Sequence, residues 1–182
     1  MADQARPPAL TEKVCRSVEW GTPRRVLDPV DRFCGGQIGL DPATTPANPT
    51  RARVFFTRAD DGLSRSWREP GVVFVNPPYG GGTRFQDWCA KIHAEAAQGQ
   101  EILALLPCGA RFSTRYFQQH VLTSYLEAIC FVRGRVRFIP MEGQKDPGNN
   151  YDSALYGFNV NPERFAESFV QLGVCVGGWL GG

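Results

Sequence analysis

The sequence has six cysteines but no pair in CxxC spacing, and it has only two histidines, His93 and His120. A zinc cluster built from such ligands is not expected, and no metal is assigned. Cys15, Cys34, Cys89, Cys108, Cys130 and Cys175 are widely scattered, which fits reduced, mostly buried thiols. No apolar run is long enough to span a bilayer, so no membrane partner is expected. The segment Met1–Ser17 is polar and contains proline, without the apolar stretch of a secretory leader, and a cytoplasmic protein is expected. Lysine is scarce as well: of the 20 basic residues, 17 are arginine.

What is present describes a soluble globular chain. With 182 residues, 42% of them hydrophobic and 21% charged, it has enough length for one domain with a real core. The expected organisation is a poorly ordered lead-in over 1–18, one domain over 19–176 and a flexible glycine-rich tail over 177–182. The net charge of +2 says little, but its distribution is uneven. Between Ile102 and Met141 stand Arg111, Arg115, Arg133, Arg135 and Arg137 against one acid, Glu127. The planar guanidinium fork suits phosphates and base edges, so this excess points to a polyanion. A GC-rich genome would explain the arginine-to-lysine ratio but not its local concentration.

Strands alternate with helices along the chain. Thr22-Pro23 reads as an N-cap with proline at the first helical position, opening a helix to about Phe33 that Pro29 should kink or shorten. Gly35-Gly36 end it. Gln37–Asp41 and Arg53–Thr57 read as strands, with Ala43–Thr50 as loop and Asp60-Asp61-Gly62 as a turn. Val72–Val75 is apolar on both faces, as for the buried centre of a parallel sheet. Residues 84–98 carry Phe85, Trp88, Cys89, Ile92 and Ala96 at helical spacing, with Gly99 as the cap. Ile102–Leu106 is another buried strand, and Phe112–Tyr125 has helical spacing. Ala128–Phe138 and Ser153–Val160 are two late strands separated by the loop 139–152. The expected fold is α/β, a single-domain doubly wound and mostly parallel sheet with an antiparallel C-terminal hairpin.

In such sheets ligands bind at the carboxyl ends of the strands. There, directly after Val72–Val75, stands Asn76-Pro77-Pro78-Tyr79, followed by Gly80-Gly81-Gly82. Two successive prolines make the turn stiff and remove two N–H donors. Asn76 offers a side-chain carbonyl oxygen and Tyr79 an aromatic face. An exocyclic amine on a planar ring has two N–H donors and a lone pair delocalised into that ring. If Asn76 Oδ1 and the Pro77 carbonyl accept both hydrogens, the lone pair returns to nitrogen, which can then attack an electrophilic methyl group. Tyr79 would hold the base by stacking, and a base inside a duplex must first be flipped out. The competing reading is a plain turn, which would not need a buried apolar strand aiming an aromatic at its open end.

From Trp20 to Phe158 the chain resembles the phage-type DNA N6-adenine methyltransferases, whose segments occur here in the family's order. They are Trp20-Gly21-Thr22-Pro23, Ile38-Gly39-Leu40-Asp41-Pro42-Ala43, Asp61-Gly62-Leu63 with Trp67, and Val75-Asn76-Pro77-Pro78-Tyr79. Trp88, Leu105-Leu106-Pro107 and Gly134-Arg135-Val136-Arg137-Phe138 follow. The resemblance implies a Rossmann-like class I methyltransferase fold, S-adenosylmethionine as methyl donor, and double-stranded DNA as partner, in a phage or prophage setting such as restriction-modification. It places Thr22 and Pro23 beside the donor, although a helix cap accounts for that pair equally well. Asp41 and Pro42 would meet the donor's methionine part, and Asp61 or Asp60 its adenine, unless that pair is an ordinary acidic turn. Asn76 would border the donor as well. The sequence departs from the usual pattern in having Thr44-Thr45-Pro46 where methyltransferases carry a glycine-rich loop. Val26-Leu27-Asp28-Pro29 also resembles a first-strand ending, and Asp41 is preferred because Thr22-Pro23 lies close upstream.

Arg133, Arg135 and Arg137 alternate, so in one strand they would share a face, with Val132, Gly134, Val136 and Phe138 on the other. That face contacts phosphates or, alternatively, forms a charged edge that discourages aggregation. No separate target-recognition domain fits the length, so a short or loose recognition sequence is expected, with contacts added by a possible homodimer. Two other activities stay open: methylation of an RNA base or a protein glutamine amide, and an inactive DNA-binding accessory protein of the same fold.

Overall fold

Every residue of Ile102–Pro107 is buried, and so is every residue of Ser153–Phe158. These runs lie side by side, antiparallel, inside a seven-stranded sheet. The structure is a computed structural model that describes residues 20–79, 85–140 and 150–178. The expected lead-in over 1–18, the glycines 80–82, most of the loop 139–152 and the last four residues of the expected tail lie outside the described residues.

In chain order the elements begin with β1 (Trp20–Gly21), α1 (Arg24–Phe33), β2 (Leu40–Asp41), β3 (Val54–Phe55), β4 (Val73–Val75), α2 (Phe85–Ala96) and β5 (Ile102–Pro107). After a 3-10 turn (Ala110–Ser113) come α3 (Arg115–His120), β6 (Leu126–Val132), β7 (Val136–Arg137), β8 (Ile139–Pro140) and β9 (Asn150–Tyr151). The chain closes with β10 (Ser153–Phe158), α4 (Pro162–Phe169) and β11 (Gly173–Gly177). The sheet order is β11-β6-β10-β5-β4-β2-β3. Strands β3, β2, β4, β5 and β6 run in one direction, and β10 and β11 oppose them.

Alternation along the central strands sorts their side chains between two cores. Leu103 and Leu105 join Phe74, Leu155 and the α1 residues Val26, Leu27, Val30 and Phe33, with Phe165 and Phe169 of α4. On the opposite face Ile102, Ala104 and Leu106 meet Val73, Val75, Tyr156, Trp88 and Ile92 of α2, and Phe117 of α3. Helices therefore cover both faces of the sheet, as the buried strands require.

The sheet is less parallel than the sequence pattern implied, since three of its six strand pairings are antiparallel. The two late strands do pair antiparallel, but β10 inserts between β5 and β6 rather than forming a terminal hairpin. The chain then adds α4 and β11, and the expected tail begins too early, because Gly177 still pairs with Ala128. Helix α1 starts one residue later than expected: Pro23 occupies the N-cap position and Thr22 makes no cap bond. Pro29 does not shorten it, and the helix runs on to Phe33 with the proline ring buried. The helix expected over Phe112–Tyr125 is broken at Thr114, which is extended and whose hydroxyl donates to the Arg111 carbonyl at 2.6 Å. The strand expected over Ala128–Phe138 bends at Arg133-Gly134, where Gly134 has φ +67°.

Candidate active site

Strand β4 ends in the interior of the parallel section, between β2 and β5, and delivers Asn76 to its carboxyl edge. The Asn76 carboxamide is held at both ends. Its Nδ2 donates to Thr22 Oγ1 at 3.1 Å, and its Oδ1 accepts from the Tyr79 hydroxyl at 2.6 Å. The same hydroxyl lies 2.5 Å from the Leu105 carbonyl of β5. Thr22 is buried, so its hydroxyl orients the amide instead of capping α1. Pro77 is buried, and Pro78 and Tyr79 are half-buried.

The Tyr79 ring is flanked on two sides by edge-to-face neighbours, Phe85 at 5.7 Å and Phe138 at 5.8 Å. Arg111 lies over Phe85 at 4.7 Å and donates to the Tyr116 hydroxyl at 2.9 Å. Phe138 comes from the segment that carries the late arginines. Tyr79 thus stands between Phe138 of the arginine segment and Phe85, over which Arg111 lies, a role for Phe85 and Phe138 that sequence reasoning missed. Helical and strand alternation marked both only as core residues.

At the end of β2, Asp41 is buried and shapes its own loop. One carboxylate oxygen accepts from the Ala43 N–H at 3.1 Å and the other from Thr50 Oγ1 at 2.8 Å. Leu40–Asp41 is the strand end, whereas Val26-Leu27-Asp28-Pro29 lies within α1. Burial pushes the Asp41 carboxyl up to about 6, against the pull of the Thr50, Ala43 and Thr44 hydrogen bonds. The folded state therefore holds this proton where the unfolded chain has lost it. Its contribution is full below pH 4 and is lost as pH rises through about 6. We expect stability to fall by ~3 kcal/mol through this group between pH 4 and pH 7. Asp41→Asn should flatten that slope in urea unfolding, and an unchanged slope would refute the assignment.

The acidic turn divides its work. Asp60 accepts from the Thr57 N–H and hydroxyl at 2.8 and 2.7 Å, and these bonds hold its carboxyl below the usual range. Asp61, at φ 52°, is exposed. The turn is pressed against the end of β2, because a Cβ at Gly62 would lie 2.0 Å from the Pro42 carbonyl oxygen. Trp67, fully buried, donates from Nε1 to the Gly62 carbonyl at 2.8 Å.

The late arginines do not share a single strand face. Arg135 and Arg137 line an open groove of about 510 Å³ with Pro23 and Arg25. Arg133 turns toward a second concavity of about 340 Å³ bordered by Arg25, Asp28 and Arg32. The guanidinium of Arg25 joins the two by donating to the Arg135 carbonyl at 3.0 Å and the Arg133 carbonyl at 3.5 Å. Sequence reasoning passed over Arg25 because its place in α1 says nothing about the distant loop it meets. Pairing of β1 with β8 brings the Trp20–Pro23 segment beside this arginine segment. Arg115 is exposed on α3, apart from that groove. Arg135 also pairs with Asp152 at 3.4 Å, both well exposed. His93 and His120 pack α2 against α3 with rings 5.7 Å apart. Among the described residues no group of three potential metal ligands occurs, and no helix is long and apolar enough to cross a membrane.

The sequence matches the family described as DNA N-6-adenine-methyltransferase (Dam) over residues 11–166. No curated protein matches the chain.

Proposed function

The chain belongs to the DNA N-6-adenine-methyltransferase family, and from that premise we propose that it transfers a methyl group from S-adenosylmethionine to N6 of an adenine flipped out of double-stranded DNA. The observation that carries this reading is the clamped Asn76 carboxamide at the carboxyl end of β4. With Nδ2 directed to Thr22, Oδ1 is the atom left to face an incoming amine. The adenine amine would replace the Tyr79 hydroxyl on Oδ1 and give its second hydrogen to the Pro77 carbonyl. Nitrogen then becomes pyramidal and its lone pair is available for attack. Tyr79, released from Asn76, keeps its place between Phe85 and Phe138 and stacks on the base, a contact worth roughly 1–3 kcal/mol.

A donor carrying an ammonium group and ribose hydroxyls fits acidic groups at neighbouring strand ends. Asp61 is the exposed carboxylate there, and Asp41 shapes the loop 43–50 beside it. In this reading Asp61 sits near the donor's adenine, Pro23 and Pro42 wall the site, and Asn76 borders it. S-adenosylmethionine supplies an electrophilic methyl on sulfonium when bound. The phage-type resemblance extends the reading to a phage or prophage protein acting on a short site, alone or as a dimer.

The groove lined by Arg25, Arg135 and Arg137 opens beside Pro23, next to Thr22 and Asn76, and suits the phosphates flanking the flipped base. The Arg135–Asp152 pair is exposed and easily exchanged for a phosphate. Arg111 and Arg115 would contact the strand from the other side of Tyr79. We expect Arg137→Gln to weaken duplex binding and lower the slope of log affinity against log salt by about 0.9, the loss of one phosphate contact. Fluorescence anisotropy over a salt series checks this, and an unchanged slope removes Arg137 from the interface.

The decisive test is expression in bacteria that lack DNA methylation, followed by mapping of modified bases. N6-methyladenine at a short recurring sequence supports the proposal. Methyl groups from labelled donor appearing in RNA or protein, with none in DNA, would overturn it.

A further inference from the structure

We infer that Cys130 and Cys175 form a modification site, a cross-strand thiol pair that a small-molecule disulfide oxidises to a protein disulfide joining β11 to β6. Cys175 lies directly opposite Cys130 in the antiparallel register of these strands. The backbone bonds on either side fix the phase of the ladder. Arg133 N–H donates to Leu172 O and Gly178 N–H to Glu127 O, each at 3.0 Å. Hydrogen-bonded pairs recur every second residue, and Cys130–Cys175 is three residues from both, so it is a non-hydrogen-bonded pair. In such pairs the α-carbons approach to about 4.5 Å and the side chains lie closest. That separation is within the span a disulfide bridges without backbone movement.

Both side chains face the core packed by α1 and α4. On that side of the sheet Cys130 Sγ lies 3.7 Å from the Phe169 carbonyl of α4. Their accessibility differs in a way that orders the chemistry. Cys130 is fully buried, whereas Cys175 is half-buried on a strand at the edge of the sheet. Among the described residues Cys34 ends α1, Cys89 sits within α2 and Cys108 follows β5, and none of these faces another cysteine across paired strands. The proposed methyl transfer uses no thiol, so the pair is chemically independent of Asn76.

The reaction proceeds in two exchanges. The Cys175 thiolate attacks one sulfur of the small disulfide, forming a mixed disulfide and releasing one small thiolate. The Cys130 thiolate then attacks Cys175 Sγ and expels the second. The protein pair loses two protons and two electrons, and the small disulfide is reduced to two thiols. Burial pushes both thiols up, so the exchange is slow at neutral pH and accelerates in alkali. The bond closes a loop that contains the arginine segment 133–137, β10 and α4, which restricts the unfolded chain and fastens the edge strand.

The test is to incubate the full-length protein with oxidised glutathione at pH 8.5 and to map its cysteines by mass spectrometry. A Cys130–Cys175 linked peptide, with a rise in Tm of roughly 5–10 °C that dithiothreitol reverses, supports the site. Cys175→Ser should lose both the linkage and the rise, while Cys34→Ser keeps both. A glutathione adduct on Cys175 that never resolves, a linkage through a different cysteine, or a linked pair with unchanged Tm would each overturn the proposal. None of these outcomes bears on methyl transfer, which is assayed separately.

Discussion

Asn76→Ala is expected to lower kcat for methyl transfer by about three orders of magnitude while leaving duplex affinity near its original value. Removing one preorganised polar group from a developing transition state costs roughly 100- to 1,000-fold, and here the lost oxygen is the one that frees the nitrogen lone pair. The effect on the fold is small by comparison. Asn76 forms side-chain bonds with Thr22 and Tyr79, and each is worth about 1 kcal/mol. Single-turnover transfer from labelled donor, read beside thermal unfolding, separates the two. Thr22→Val provides a graded companion. Without its hydroxyl the carboxamide loses the partner of Nδ2, so kcat should fall by about tenfold with KM for DNA unchanged, and Thr22→Ser should restore most of it. Near-normal turnover of Asn76→Ala would end the proposed mechanism.

Trp67→Ala should be the most damaging single change to stability near the site, costing about 3–5 kcal/mol. The indole is fully buried, tilted against Trp88 at 6.2 Å, and its N–H holds the Gly62 carbonyl. The turn around Asp61 has no room to shift toward β2, because Gly62 already abuts the Pro42 carbonyl. Loss of the indole therefore leaves a cavity and releases the turn that carries the exposed carboxylate. Urea unfolding should show the lower midpoint, and calorimetric titration with S-adenosylmethionine should show weaker binding. Trp67→Phe keeps most of the volume and loses only the hydrogen bond, so its cost should stay near 1–2 kcal/mol. A Trp67→Ala protein within 1 kcal/mol of the original would mean that the turn is held by other contacts.

Both experiments concern segments that were visible in the sequence, yet for different reasons. Asn76-Pro77-Pro78-Tyr79 declared itself by local restriction, since two prolines after a doubly apolar strand leave few conformations. Trp67 was visible only as part of an ordered set of resembling segments. Nothing in its neighbours told that its N–H meets Gly62. The α4 helix was missed although its signals are present. Asn161 caps it by accepting from the Arg164 N–H at 2.8 Å, Pro162 opens it, and Phe165 and Phe169 form its buried stripe. The broken helix after Phe112 was misjudged because helical spacing does not register a threonine hydroxyl competing for a backbone carbonyl.

The sequence by itself determined the buried strands, the stiff turn after Val75, the α/β class and the chemistry a carboxamide at a strand end can perform. These follow from dihedral limits and from periodicities of two and 3.6 residues, which act over a few neighbours. The tertiary structure alone decided the partners. It set Thr22 against Asn76 across 54 residues, Arg25 beneath the arginine loop and Cys175 opposite Cys130. It also inserted β10 between two strands running the other way. Such meetings depend on which faces of distant segments bury each other, and the hydrophobic effect that drives this burial has no direction of its own.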